Sequence, residues 1–148
     1  MHGEIQVLGR AVKQAQYRQH RALDRELATV GTTLAQWDAL RAISNARGAS
    51  ARALAVATFQ SEQAFGTLAG RLVAQGLIER RPGHGRRIEH HLTPAGARVL
   101  KAGHQVADEV LVSCFSTLSA ADRATLLDLL QRVNADEDTW RHRSQQEP

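Results

Sequence analysis

What this chain of 148 residues has little of narrows the possibilities first. There is one cysteine, Cys114, which rules out an internal disulfide and a multi-cysteine zinc site. Aromatic residues make up only 4% against a hydrophobic share of 43%, so a core must be built from Leu, Ala and Val. Three prolines leave long stretches open to helix, and the abundant alanine, leucine and arginine favour it. No apolar run approaches the roughly 20 residues that span a bilayer. No basic segment, apolar run and small-residue cleavage site open the chain. A cytoplasmic protein with no membrane partner is therefore expected. No phosphate-cradling glycine loop follows a strand, and no serine sits on a nucleophile elbow, so an enzyme is not expected and no cofactor is implied. Lysine is scarce as well. The net charge of +4 is carried almost wholly by arginine, whose planar fork suits phosphates and guanine edges.

What is present centres on Ser61 to Gly96, SEQAFGTLAGRLVAQGLIERRPGHGRRIEHHLTPAG. Phe65, Leu68, Leu72 and Val73 recur at helical spacing and predict one apolar face. Ser61 can cap that helix and Gly76 can end it. Leu77 to Arg81 reads as a strand, Pro82-Gly83-His84-Gly85 as a turn, and Arg86 to Leu92 as a returning strand. Thr93 and Pro94 then restart a helix as cap and first helical residue. The result is a helix, a basic finger and a helix.

Upstream, Ile5 to about Val30 predicts a long helix whose apolar stripe is too sparse to be satisfied alone. Leu34 to about Asn45 predicts a second, with Trp37, Leu40 and Ile43 on one side and Thr32 or Thr33 as cap. Ser50 caps a short helix, Ala51 to Ala57, carrying Leu54 and Val56. That helix, the link Thr58-Phe59-Gln60 and the Ser61 helix have helix-turn-helix spacing. Downstream, a helix runs from Pro94 to about Phe115. Ser119-Ala120-Ala121-Asp122 opens the last helix, and residues 136–148 are polar apart from Trp140. Both ends carry more apolar surface than a small central unit can cover, which a two-fold pairing of copies would satisfy.

The candidate nucleic-acid contacts follow from this layout. Gln63, Thr67 and Arg71 fall at i, i+4 and i+8 on the polar face of the Ser61 helix, where Gln can pair with adenine and Thr can meet a base or a thymine methyl. Ser61 and Gly66 belong to the same surface, Gly66 by allowing close backbone approach. Arg81, Arg86 and Arg87 on the finger suit phosphates and a narrow minor groove, whereas Arg80 can instead brace the strand. His90 and His91 are neighbours on a strand and point to opposite faces, so they cannot easily share a metal ion. No metal site is expected. Cys114 reads as a small apolar residue.

LVAQGLIERR and LTPAG at this spacing resemble the MarR family of bacterial winged-helix transcriptional regulators, and the resemblance runs from the first helix to about Val133. It implies a mainly helical winged helix-turn-helix with a small β-hairpin wing. Residues 1–33 and 94–148 would be dimerisation segments around a DNA-binding region at 34–93. It further implies a homodimer on a pseudo-palindromic double-stranded operator, acting as a repressor released by a small aromatic or phenolic effector. Family effectors bind beside the helix that carries Trp37 and Asp38, so these two with His20 and Arg41 are the candidate ligand residues. Two departures stand out. The family's Asp-x-Arg wing turn is His84-Gly85-Arg86 here, and Gly66-Thr67 replaces a customary Ser/Thr-Arg pair, with Glu62 nearby. These departures motivate an alternative: a winged-helix module with weakened DNA binding that takes small molecules or protein partners.

Overall fold

The computed structural model describes residues 2–135, so the expectation for the tail around Trp140 lies outside the described residues. The chain divides into two compact units, Met1–Leu111 and Val112–Pro148. The helices are α1 (His2–Leu27), α2 (Leu34–Asn45), α3 (Ala51–Ala57), α4 (Glu62–Ala74), α5 (Pro94–Cys114) and α6 (Ala120–Asn134). Two strands, β1 (Ile78–Pro82) and β2 (Ile88–Leu92), form an antiparallel hairpin between α4 and α5. The fold is mainly helical with a winged helix-turn-helix at its centre, as expected.

Helix starts are set by local hydroxyl chemistry. Thr33 accepts from the Gln36 N–H at 3.1 Å, Ser50 from Ala53 at 3.3 Å and Ser61 from Ala64 at 3.1 Å. Each such cap is worth about 1 kcal/mol. Asp24 adds a cap from outside the helix, because its carboxylate accepts from the Leu34 N–H at 2.9 Å and so fastens α1 to the start of α2.

The core of the first unit draws one face from each element. Leu27, Leu40, Ile43, Leu54, Phe65 and Leu72 are essentially inaccessible to solvent. A fully buried side chain of this size contributes roughly 1.5–3 kcal/mol. Two expectations need correction here. The inward face of α4 is Phe65, Ala69 and Leu72, with Val73 exposed. On α3, Leu54 and Ala55 point inward while Val56 is 72% exposed, since a helix of 7 residues has room for one narrow contact stripe.

The LTPAG segment is explained by its surroundings. Thr93 Oγ1 donates to the Gly76 carbonyl at 2.6 Å and accepts from the Gly96 N–H at 3.1 Å. The Thr93 N–H donates to the Leu77 carbonyl at 3.1 Å. A Cβ on Gly96 would lie 1.9 Å from that same carbonyl oxygen, so only glycine lets α5 start against the foot of the wing. Gly76 takes φ +73°, the left-handed stop that separates α4 from the wing.

β1 is shifted by one residue from expectation, and β2 starts two residues later than expected and ends at Leu92 as expected. β1 includes Pro82, which pairs with Ile88 at the turn end of the hairpin, and Arg86 and Arg87 belong to the turn. The turn is closed by Gly83 N–H to Arg87 carbonyl at 2.8 Å. The loop between α2 and α3 joins β2 as a short third edge: Gly48 N–H donates to the His90 carbonyl at 3.3 Å, and His90 N–H to the Ala49 carbonyl at 3.2 Å.

In the second unit Ser119 accepts from the Asp122 N–H at 3.1 Å and opens α6. Arg123 donates to the Leu118 carbonyl at 2.9 Å across the same turn. Leu127, Leu129, Leu130 and Val133 on α6 are exposed in the single chain. Cys114 is half-buried rather than buried.

Candidate nucleic-acid interface

The helix-turn-helix is α3, a turn through Thr58, Phe59 and Gln60, and α4. The Thr58 hydroxyl donates to the Leu54 carbonyl at 2.8 Å and closes α3. The Gln60 N–H donates to the Ala55 carbonyl at 2.9 Å, which sets the angle at which Ser61 begins α4. With Phe65, Ala69 and Leu72 turned inward, Gln63, Thr67 and Arg71 all lie exposed on the outer side of α4. The expected grouping of these three side chains on one face holds in the geometry. The Thr67 hydroxyl is partly committed, donating to the Gln63 carbonyl at 3.2 Å. A Cβ at Gly66 or Gly70 would meet nothing within 4 Å, so internal packing does not call for glycine at either place. The outer surface of α4 is therefore shallow and low in side-chain donors.

The four wing arginines do different things. Arg80 Nη2 donates to the Gly66 carbonyl at 3.1 Å and ties β1 to the middle of α4. It is the brace that the sequence suggested. Arg81 forms a forked pair with Glu79, at 3.2 and 2.8 Å to the same carboxylate oxygen, so its charge is partly answered within the strand. Arg87 turns back from the wing and donates to the Gly48 carbonyl at 3.0 Å. Arg86 is exposed at the turn with no side-chain hydrogen bond or ion pair among the described residues, and His84 is exposed beside it. Arg86 on the wing and Arg71 on α4 thus have no side-chain partner among the described residues. Arg47 and Arg52, ahead of and within α3, are exposed too and add to the positive surface; the pattern of the motif had not singled them out.

His90 is a structural residue that the sequence did not identify. It is 2% exposed, its Nδ1 lies 3.0 Å from the Ala49 carbonyl, and its ring meets Phe65 edge-on with centroids 5.9 Å apart. A carbonyl only accepts, so Nδ1 carries the proton. Burial pushes the imidazole below its ordinary pKa. The hydrogen bond to Ala49 opposes that shift, and the charges of Arg80 and His91 add to it. His91 turns to the other side, where its Nε2 lies 3.1 Å from a Glu89 carboxylate oxygen.

The residues proposed for an effector separate. Trp37 is 4% exposed and donates from Nε1 to the Leu100 carbonyl at 3.3 Å. Arg41 lies over its ring at 4.8 Å and pairs with Asp38 at 2.6 Å. His104, absent from the expected set, meets the Trp37 ring edge-on at 5.4 Å. His20 is exposed on α1, with no hydrogen bond or ion pair to this cluster among the described residues. Gly103 makes the arrangement possible, since a Cβ there would lie 2.2 Å from the indole.

Comparison with known proteins agrees with this architecture. The family described as the MarR family matches residues 30–88. A protein of Thauera aromatica, assigned as a transcriptional regulator for the hcr operon, is 32% identical over 129 residues, covering 85% of this chain and 78% of that one. The structure of a cysteine-to-serine mutant of E. coli MarR complexed with operator DNA superposes with a TM-score of 0.82 at 27% identity, covering 90% of this chain and 97% of that one. BpsR of Bordetella bronchiseptica, whose DNA binding is regulated by 6-hydroxynicotinic acid, shares the fold at a TM-score of 0.80 and 22% identity, covering 86% and 98%. With an exposed reading helix, a braced arginine-bearing wing and these likenesses together, the chain belongs to the MarR family of winged-helix transcriptional regulators.

Proposed function

We propose that the chain is a homodimeric repressor that binds a pseudo-palindromic double-stranded operator in the cytoplasm and releases it on binding a small aromatic or phenolic effector. The observation that carries the DNA reading is the pairing of an outward-facing α4 with a wing whose turn holds Arg86 unanswered. In this reading α4 enters the major groove through Ser61, Gln63, Gly66, Thr67 and Arg71, and Arg86 reaches the adjacent minor groove. Arg81 and Arg87 contribute charge from positions that their internal partners fix.

Dimerisation through the terminal segments, 1–33 and 94–148, is supported by uncovered apolar surface on their described helices α1 and α6. On α1, Ile5, Leu8 and Val12 are 68, 58 and 50% exposed. On α6, Leu127 and Val133 are 56 and 72% exposed. Stripes of this kind are unfavourable in water unless a partner covers them. Effector binding is supported by Trp37, Arg41 and His104, because an aromatic anion would find a ring and a cation together and would compete with Asp38 for Arg41.

The test is a titration against DNA upstream of the chain's own gene, compared with random duplex over a range of salt. The regulator reading expects a preference for the former and a steep loss of affinity with salt. Arg86→Ala should weaken binding to all sequences and flatten the salt slope by about one phosphate contact. Gln63→Ala should change sequence preference instead. If neither variant alters affinity or preference, the assignment of this surface is wrong. The donor-poor face of α4, with Glu62 at its start, favours the second reading, a small-molecule or protein-interaction module; binding that is undetectable or insensitive to salt would select it.

A further inference from the structure

Phe59, in the turn between α3 and α4, is costly in two ways at once. Among the described residues it is the one non-glycine with a left-handed backbone, at φ 57°. Glycine takes that conformation freely and a bulky side chain resists it. The residue is also 91% exposed, more than any other large apolar residue described. Glycine at this position would relieve the backbone and remove an apolar ring from water, so the fold gains nothing from phenylalanine. Strain that the fold does not use is found where function uses it.

The turn fixes the backbone that carries the ring. The Phe59 N–H donates to the Val56 carbonyl at 3.2 Å and the Gln60 N–H to the Ala55 carbonyl at 2.9 Å. Two residues on, Ser61 caps α4. Val56, at the end of α3, is exposed as well. An apolar surface therefore stands at the end of α4 that a helix-turn-helix presents to base edges. Meanwhile α4 is poor in donors: Gly66 and Gly70 have no side chains, and the Thr67 hydroxyl is turned to the Gln63 carbonyl. The major groove offers an apolar partner in one place, the C5 methyl of thymine.

We propose that Phe59 is a specificity-determining residue that packs against a thymine methyl at the edge of the site read by α4. The inference rests on the DNA-binding reading above. It places part of the sequence discrimination in an apolar contact from the turn, where hydrogen bonds from the helix are few. A protein partner for the same ring is the competing occupant; the ring stands two residues before the N-cap of α4, the end that the DNA-binding reading sets against base edges, and this placement favours DNA.

The experiment begins with a duplex selected by the wild-type protein from a random-sequence pool. Each thymine in it is then replaced in turn by deoxyuridine, which removes the methyl and keeps every hydrogen-bonding group. Wild type should lose about fourfold in affinity at one position of a half-site, the worth of one buried methyl. Phe59→Gly and Phe59→Asn both tolerate the left-handed backbone. Each should bind thymine and deoxyuridine duplexes equally at that position, with a melting temperature at or above that of wild type. If the variants keep the discrimination, or if they lose affinity equally for both duplexes, Phe59 does not read the methyl. If wild type discriminates at no thymine while the selected sequence is still preferred, the inference fails and the DNA-binding reading stands. If no sequence is enriched at all, the DNA-binding reading fails first and the role of Phe59 with it.

Discussion

Replacing glycine by alanine within a helix usually stabilises it by up to about 1 kcal/mol, because alanine loses less backbone freedom on folding. Two glycines of this protein should respond with opposite signs. At Gly70 an added Cβ meets nothing within 4 Å, so Gly70→Ala should gain close to that full amount. At Gly96 the Cβ would lie 1.9 Å from the Leu77 carbonyl oxygen, against an ordinary carbon–oxygen approach of about 3.3 Å. The start of α5 must then retreat by about 1.4 Å, and the obstacle is backbone rather than a side chain that can swing away. Retreat endangers Thr93 N–H to Leu77 carbonyl at 3.1 Å and Thr93 Oγ1 to Gly76 carbonyl at 2.6 Å. Each bond is worth about 0.5–1.5 kcal/mol net, and overpacking adds about 1–3 kcal/mol. After the gain from alanine, Gly96→Ala should destabilise by about 1–5 kcal/mol. For a chain of this size that lowers the melting temperature by about 2–20 °C. Thermal and urea unfolding followed by circular dichroism, at one fixed protein concentration, measures both variants. Equal stability of Gly96→Ala and wild type would refute the account of the wing's foot, as would a loss of stability in Gly70→Ala.

Two further outcomes follow from the wing. The folded pKa of His90 lies below the ordinary value of about 6.5, so its neutral form is the one that folding favours. Its contribution to stability is complete above about pH 6.5 and is lost as pH falls from there through the folded value. Unfolding free energy measured from pH 7.5 to 5 should therefore drop more steeply in wild type than in His90→Gln, and parallel curves would refute the sign. Arg80 is held by the Gly66 carbonyl, so Arg80→Ala should weaken DNA binding while leaving the salt slope unchanged, in contrast to Arg86→Ala. A slope flattened as much as in Arg86→Ala would make Arg80 a phosphate contact instead.

What could be read from the sequence, and what could not, divides by distance along the chain. Caps at Thr33, Ser50, Ser61, Thr93 and Ser119 were legible because each is a hydroxyl facing an N–H three residues on. The α2 boundaries and the burial of Trp37, Leu40 and Ile43 followed from one cap and one periodicity. The commitments of the wing were not legible in full. Arg80 reaches back 14 residues to Gly66, Arg87 reaches 39 to Gly48, and His90 reaches 41 to Ala49. Arg80 could be read as a brace, but nothing in the local pattern separates Arg81 and Arg87 from Arg86, so these three similar side chains read together as contacts of one basic finger. Strand alternation correctly sent His90 and His91 to opposite faces, but which of them pointed inward depended on Phe65, an element away. Phe59 read only as part of a tight link, because sequence alone did not show the ring left in water.

The short α2 helix has a consequence of a mechanical kind. Its 12 residues make a rod about 18 Å long. One end is fastened to α1 through Asp24 and Leu34. The segment leaving the other end is stitched to β2 at Gly48 and Ala49, and Arg87 adds a further stitch at Gly48. Trp37 is pinned along its length by Leu100 and hemmed in by Gly103. Trp37 sits in the first turn of this rod, close to the Asp24 fastener, so a displacement there would load the tie to α1 first and reach the stitches to β2 only along the length of the helix.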